Sequence, residues 1–158
     1  MTVVVGGRKC HCPNRGCLEA YAGGWAIKER TQEVVRTSRD EGKRILELSG
    51  SVEAIEATMV TQAYREGDRL AGKLVRATFK YLSAGVVSIV NAFNPCLLVF
   101  GGGISEGIPD LVQNIEILAR KNALEAALEK LEFTKAKLGK NAGVIGAAAF
   151  ANTFRETI

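Results

Sequence analysis

The stretch from Asp68 to Gly103 limits the possible folds more than any other part of the chain. Leu70, Leu74, Thr78, Leu82, Val86, Ile89, Val90 and Phe93 recur mostly at spacings of three and four. That period places them on one face of a single long helix and predicts the face to be buried along its whole length. Asp68 offers a carboxylate suited to capping the first turn. Pro95 pushes Asn94 out of helical space, so the helix stops there. Cys96–Phe100 is then a run of five apolar residues with no polar face, the pattern of a strand buried on both sides in a parallel sheet. Gly101, Gly102 and Gly103 follow at once, and a further helix reads over Ile108–Leu124 with Pro109 near its start. Helix, buried strand, glycine turn and helix in that order define an α/β layer architecture.

The flanking segments fit the same plan. Thr2–Val5 is rich in β-branched residues and reads as a strand. Gly6–Gly16 is a loop. Cys17–Ala22 begins a helix that Gly23 and Gly24 interrupt, and the helical pattern resumes at Trp25. Ile45, Leu46 and Leu48 suggest a short helix, and Glu53–Glu66 reads as another. Phe133–Leu138 alternates as a strand does, and Gly143–Phe154 reads as a small apolar helix packed closely against a neighbour. Met59 and Phe79 fall in helical stripes and read as core, as does Cys96 in its apolar run. Trp25 reads as a core or dimer-packing residue.

At 158 residues the chain suits one ordinary domain. Its 47% hydrophobic and 24% charged residues are those of a globular protein, not a disordered chain or a coiled-coil rod. The net charge of +4 comes from basic residues scattered among acidic ones, without the basic stripe of a nucleic-acid binder. No apolar run approaches the ~20 residues of a membrane span. The first residues lack a basic region ahead of the apolar ones and a cleavage site, so a reducing cytoplasmic setting is expected.

Of four cysteines, Cys10, Cys12 and Cys17 fall within eight residues, whereas Cys96 stands alone. That is not a disulfide framework; it is the pattern of a local metal cluster plus one separate thiol. Structural zinc takes four ligands in a tetrahedron, usually thiolates and imidazoles, and Gly16 permits the tight turn such a loop needs. The fourth ligand is either His11, which sits between two ligands and is expected to point away from the shared centre, or a group outside the motif.

The segment Cys10-His11-Cys12-Pro13-Asn14-Arg15-Gly16-Cys17-Leu18-Glu19 resembles the signature of the ROK family of bacterial sugar kinases and sugar-responsive repressors. The family pattern C-x-C-G-x-x-G-C-x-E is matched at Cys10, Cys12, Gly16, Cys17 and Glu19, with Pro13 replacing a glycine. A second segment, Asn94 to Ser105, is similar to the family's N-P-x-x-I-V-x-G-G-G stretch, which meets the adenosine of ATP. Glycines lacking side chains let a nucleotide approach the backbone where a buried strand ends and the next helix begins. The resemblance implies zinc at Cys10, Cys12 and Cys17, sugar hydroxyls at Glu19, and nucleotide at Gly101, Gly102 and Gly103. A carboxylate suits the sugar role because it offers several acceptor sites to neighbouring hydroxyls. The implied fold is the C-terminal lobe of an actin-like, ribonuclease-H-like ATPase with a zinc-binding loop near its N-terminus. A homo-oligomer that contacts neither membrane nor nucleic acid through this region is implied as well.

The first half of the signature, E-x-G-H, is absent, and its histidine would fall one residue before Met1. The family's D-x-G-G-T-like phosphate loop and the aspartate of its N-D segment are also absent from residues 1–158. Asp40, Asp68 and Asp110 are the only aspartates and read as helical or capping residues, so no catalytic residue is assigned. The chain is therefore expected to be the C-terminal portion of a ROK protein, inactive by itself, whose parent uses ATP with magnesium. The glycine turn favours a glucokinase-like parent acting on a hexose or N-acylhexosamine. The other readings are the sugar-sensing part of a ROK repressor and a stand-alone zinc-stabilised module.

Overall fold

The computed structural model describes residues 1–155. Its centre is the long helix α5, Arg69–Phe93. Asp68 caps it by accepting the Ala71 backbone N–H at 2.8 Å, and Asn94 ends it in the left-handed conformation at φ 45°. Four shorter helices precede it: α1 (Glu19–Ala22), α2 (Gly24–Thr37), α3 (Lys43–Ser49) and α4 (Ala57–Arg65). Strand β1 (Leu97–Phe100) follows, then α6 (Gly103–Gly107), α7 (Leu111–Asn122), strand β2 (Glu132–Lys135) and α8 (Ala142–Arg155). The strands pair in parallel, Leu97 opposite Glu132 and Phe100 opposite Lys135. A parallel pair needs a crossover, and α6 with α7 supplies it. The architecture is therefore α/β, as the order of elements predicts.

Three apolar clusters hold these elements. Val75, Phe79, Val86 and Val90 of α5 meet Leu111, Ile115 and Ala119 of α7. Ile27 and Val35 of α2 meet Ile45, Ile55, Val60 and Leu70. A small cluster of Cys10, Cys17, Ala20 and Tyr21 lies under the N-terminal loop.

Several expectations change. Thr2–Val5 is not a strand: only Thr2 forms a bridge, to Cys17. The N–H groups of Val3 and Val4 both donate to the Gly16 carbonyl, which folds the segment into a turn. The fourth helix starts at Ala57 instead of Glu53, because the Ser51 hydroxyl accepts the Ala54 N–H and the Glu53 carbonyl accepts from Gln32. Pro109 lies ahead of α7, not within it. The α5 stripe is buried only as far as Val90; Phe93, in the last turn, is 78% exposed. β1 is not buried on both sides, since α7 and its neighbours cover one face and Val99 on the other is 57% exposed. Cys96, just before that strand, is exposed and not a core thiol. α8 is helical, but its described side chains are exposed, and among the described residues no atom lies within 4 Å of where a Cβ would stand at Gly143 or Gly146. Met59 is half-buried, while Phe79 is core.

Burial separates two otherwise similar truncations. Ile115 is fully buried between α5 and α7, so Ile115→Ala should cost about 2–5 kcal/mol by lost transfer energy and cavity formation. Val99→Ala on the exposed face of β1 should cost less than about 1 kcal/mol. Urea denaturation of both variants checks the contrast.

Candidate functional site

The N-terminal loop is closed by backbone bonds before any metal is considered. The Gly16 N–H donates to the Arg8 carbonyl at 2.8 Å, the Cys10 N–H to the Asn14 carbonyl at 3.2 Å, and Lys9 bridges Arg15. Gly16 adopts φ 74°, and a Cβ there would lie 1.6 Å from the Val4 carbonyl oxygen. Only glycine fits a position that is both left-handed and pressed against backbone. Arg8 ties the loop to α2 by a two-pronged bond to Glu33, at 2.9 and 2.6 Å. The Arg8 N–H also donates to the Tyr21 hydroxyl at 2.8 Å.

This closure brings the three loop thiols together. The Sγ atoms of Cys10, Cys12 and Cys17 all lie within 4.8 Å of one another. Cys12 Sγ is 3.6 Å from Cys17 Sγ, close to the ~3.8 Å edge of a tetrahedron with 2.3 Å zinc–sulfur bonds. Cys10 and Cys17 are buried and Cys12 is exposed, so an ion held here would have one face toward solvent. The Cys12 thiol is held below its ordinary pKa, chiefly by hydrogen bonding to the Asn14 backbone and then by its two sulfur neighbours. Burial pushes the Cys17 thiol up to about 11. The donor set fits a soft divalent ion such as zinc and needs a fourth donor. His11 is not part of the converging group. As expected it turns elsewhere, and its ring stacks on Trp25 with centroids 3.9 Å apart.

Glu19 begins α1, two residues after Cys17, and is exposed. Its Oε1 accepts a hydrogen bond from Trp25 Nε1 at 3.1 Å. Trp25 is half-buried: it packs against the small cluster of Cys10, Cys17, Ala20 and Tyr21, and its ring lies between His11 and Glu19. Sequence reasoning missed this bond because the six-residue separation follows no helical period; the break at Gly23 and Gly24, which turns α2 back across α1, was the available signal.

The glycine turn lies elsewhere on the surface of the fold. Gly101 follows β1, Gly102 adopts φ 91°, and Gly103 opens α6. The Phe100 carbonyl is engaged by Ala136 N–H at 2.8 Å, which fixes the start of the turn. Gly102 and Gly103 border a cavity of about 750 Å³ whose opposite wall is α4, with Thr58, Thr61 and Gln62. Arg65 also borders it, but its guanidinium is held by the Gly107 carbonyl at 2.7 Å. Cavities of this size accept small-molecule ligands. The α4 wall was not foreseen, since Glu53–Glu66 reads in the sequence only as a helix, with nothing to place it opposite the glycine turn. The three aspartates stay outside both places: Asp68 caps α5, Asp110 accepts from Tyr64 and Asn114, and Asp40 is in a turn.

The described residues thus present three converging thiols, an exposed carboxylate beside them and, elsewhere on an α/β fold, a glycine turn on a roomy cavity. The sequence matches the ROK family over residues 1–153, and the chain belongs to that family. The glucokinase of Thermotoga maritima is 29% identical over 143 residues, covering 90% of this chain and 44% of that protein. The DNA-binding transcriptional dual regulator NagC of Escherichia coli is also 29% identical, over 140 residues, covering 87% of this chain and 32% of that protein. A crystal structure of a ROK family glucokinase from Streptomyces griseus, in complex with glucose and AMPPNP, superposes with a TM-score of 0.82 at 28% identity. That match covers 95% of this chain and 49% of the other. The chain thus spans less than half the length of these relatives. Among the described residues, no helix is long and apolar enough to cross a membrane.

Two glycine substitutions separate loop closure from simple backbone strain. Gly16→Ala should destabilise the protein by more than about 3 kcal/mol, combining left-handed strain with a backbone clash. Gly6→Ala, at φ 68° with open space around it, should cost only the ~1–2 kcal/mol of the left-handed conformation. Thermal melts of the two variants test this.

Proposed function

We propose that residues 1–158 are the C-terminal half of a ROK sugar kinase, which transfers a phosphoryl group from ATP to a hexose or N-acylhexosamine in the cytoplasm. The observation that carries this reading is the open part of the glycine turn, Gly102 and Gly103, bordering the 750 Å³ cavity under α4; Gly101 stands behind them, where a Cβ would lie 3.3 Å from that of Ala136. Gly102 and Gly103 meet no other group where a Cβ would stand, which leaves room for a nucleotide against the backbone. Glu19 would accept sugar hydroxyls. Cys10, Cys12 and Cys17 would hold a zinc ion that supplies rigidity to the loop. Phosphoryl transfer depends on positioning and charge stabilisation. The phosphate loop and aspartate base that the family uses do not occur in these 158 residues. This stretch alone should therefore give no ATP-dependent sugar phosphorylation. Assembly into an oligomer belongs to the same reading.

The similarity to NagC supports a second reading, the sugar-sensing part of a repressor. It shares the thiol loop and Glu19, but sensing a sugar gives no reason to keep a nucleotide turn. A chimaera of this chain with the preceding half of the Thermotoga maritima glucokinase distinguishes the two. The kinase reading expects hexose phosphorylation; hexose binding without turnover favours the repressor. In that chimaera Glu19→Gln should weaken hexose binding roughly 10- to 100-fold, because a charge-assisted hydrogen bond to a buried ligand contributes about 1.5–3 kcal/mol. AMPPNP affinity should not change. Unchanged hexose affinity, or an equal loss for both ligands, removes Glu19 from the sugar site.

Metal analysis tests the loop separately. Protein purified without added zinc should carry measurable zinc, at most one per chain, lost in Cys12→Ser. No zinc, with all three thiols freely titratable, would falsify the metal assignment.

A further inference from the structure

Glu19 has a long side chain at the exposed start of a four-residue helix, and nothing in α1 itself restrains its carboxylate. Left alone it would sample several rotamers. Among the described residues, the indole N–H of Trp25 holds it, donating to Oε1 at 3.1 Å. Trp25 stands in the first turn of α2, and the chain between the two helices passes through Gly23. A Cβ at Gly23 would lie 3.0 Å from Glu19 Cγ and 3.3 Å from Trp25 Nε1, so glycine leaves the two side chains room to meet. On its other side the indole stacks on His11, with centroids 3.9 Å apart and planes 19° apart. His11 lies between Cys10 and Cys12 in sequence, so its backbone position follows from how the thiols are gathered.

We propose that Trp25 is a positioning residue that couples the thiol loop to Glu19. A gathered thiol loop fixes His11, His11 fixes the plane of the indole, and the indole N–H holds the Glu19 carboxylate at one angle. The proposal rests on the sugar role of Glu19 for its biological meaning, but the coupling is a property of the three side chains. It also accounts for His11, which the metal site does not use.

Trp25 is the only tryptophan of the chain, so a ¹⁵N-labelled sample gives a single indole N–H signal. With one equivalent of Zn²⁺ that signal should be sharp, displaced from the free-indole position, and slower to exchange with water than in Glu19→Gln by about two- to tenfold. Chelating the zinc should move it toward its Glu19→Gln position. His11→Ala should do the same while zinc stoichiometry stays at wild type, and His11→Phe, which keeps a stacking ring, should restore it. A merely structural tryptophan would show none of these shifts. The proposal is overturned if the signal is the same in wild type and Glu19→Gln. It is overturned equally if Zn²⁺ does not bind, or if neither zinc removal nor His11→Ala moves the signal. The sugar role of Glu19 fails on a different result, unchanged hexose affinity of the Glu19→Gln chimaera, which leaves the indole result standing.

Discussion

The guanidinium of Arg30 holds the candidate sugar site to the rest of the fold. It donates to the Tyr21 carbonyl at 2.7 Å, to Thr78 Oγ1 at 3.2 Å and to the Leu74 carbonyl at 3.3 Å. Tyr21 belongs to α1, Arg30 to α2, and Leu74 and Thr78 to α5, so one side chain joins three helices. Its planar fork of donors can reach several acceptors at once, which an ammonium group cannot do with the same geometry. Burial lowers its pKa, yet an arginine stays charged, and the nearby face of Tyr81 adds to its support. Without this knot α1, a single turn of helix, would rest on the burial of Ala20, Tyr21 and Ala22 and on the Arg8 N–H at the Tyr21 hydroxyl. Glu19 and Cys17, at its start, would lose their fixed relation to the core.

Much of the fold is legible in the sequence because local rules and burial agree there. Asp68, the stripe from Leu70 to Val90 and Asn94-Pro95 define α5 almost to the residue. The reading fails where a pattern is apolar but its cover is missing. Val99 and Phe93 read as core and are exposed, and α8 reads as closely packed and is not. An apolar residue declares that burial would be favourable; it does not say which surface provides it. Thr2–Val5 fails for another reason: β-branched residues favour extended backbone, but two N–H groups sharing the Gly16 carbonyl cannot continue a ladder.

The candidate site is legible in its ligands and not in its connections. Cys10, Cys12 and Cys17 converge as their spacing requires. The partners of Glu19 and the α4 wall of the cavity depend on how helices cross, which no short spacing encodes. One consequence is visible only in three dimensions. Gly24 lines the cavity next to the glycine turn, while its chain neighbour Trp25 holds Glu19. The cavity at the glycine turn and the Glu19 surface beside the thiol loop therefore share the first turn of α2 as a common wall.

The two kinds of chain closure differ greatly in reach. Thr2 and Cys17 pair across fifteen residues, whereas Leu97 and Glu132 pair across thirty-five, with two helices between them. A short contact forms on the time scale of simple loop closure. The parallel pairing closes a longer loop, and its ordering cost comes before its reward, so it forms more slowly. Synthesis also delivers the N-terminal loop first. The thiol cluster can thus be gathered on a nascent chain whose sheet does not yet exist, so maturation of the loop and completion of the domain are separate events in time.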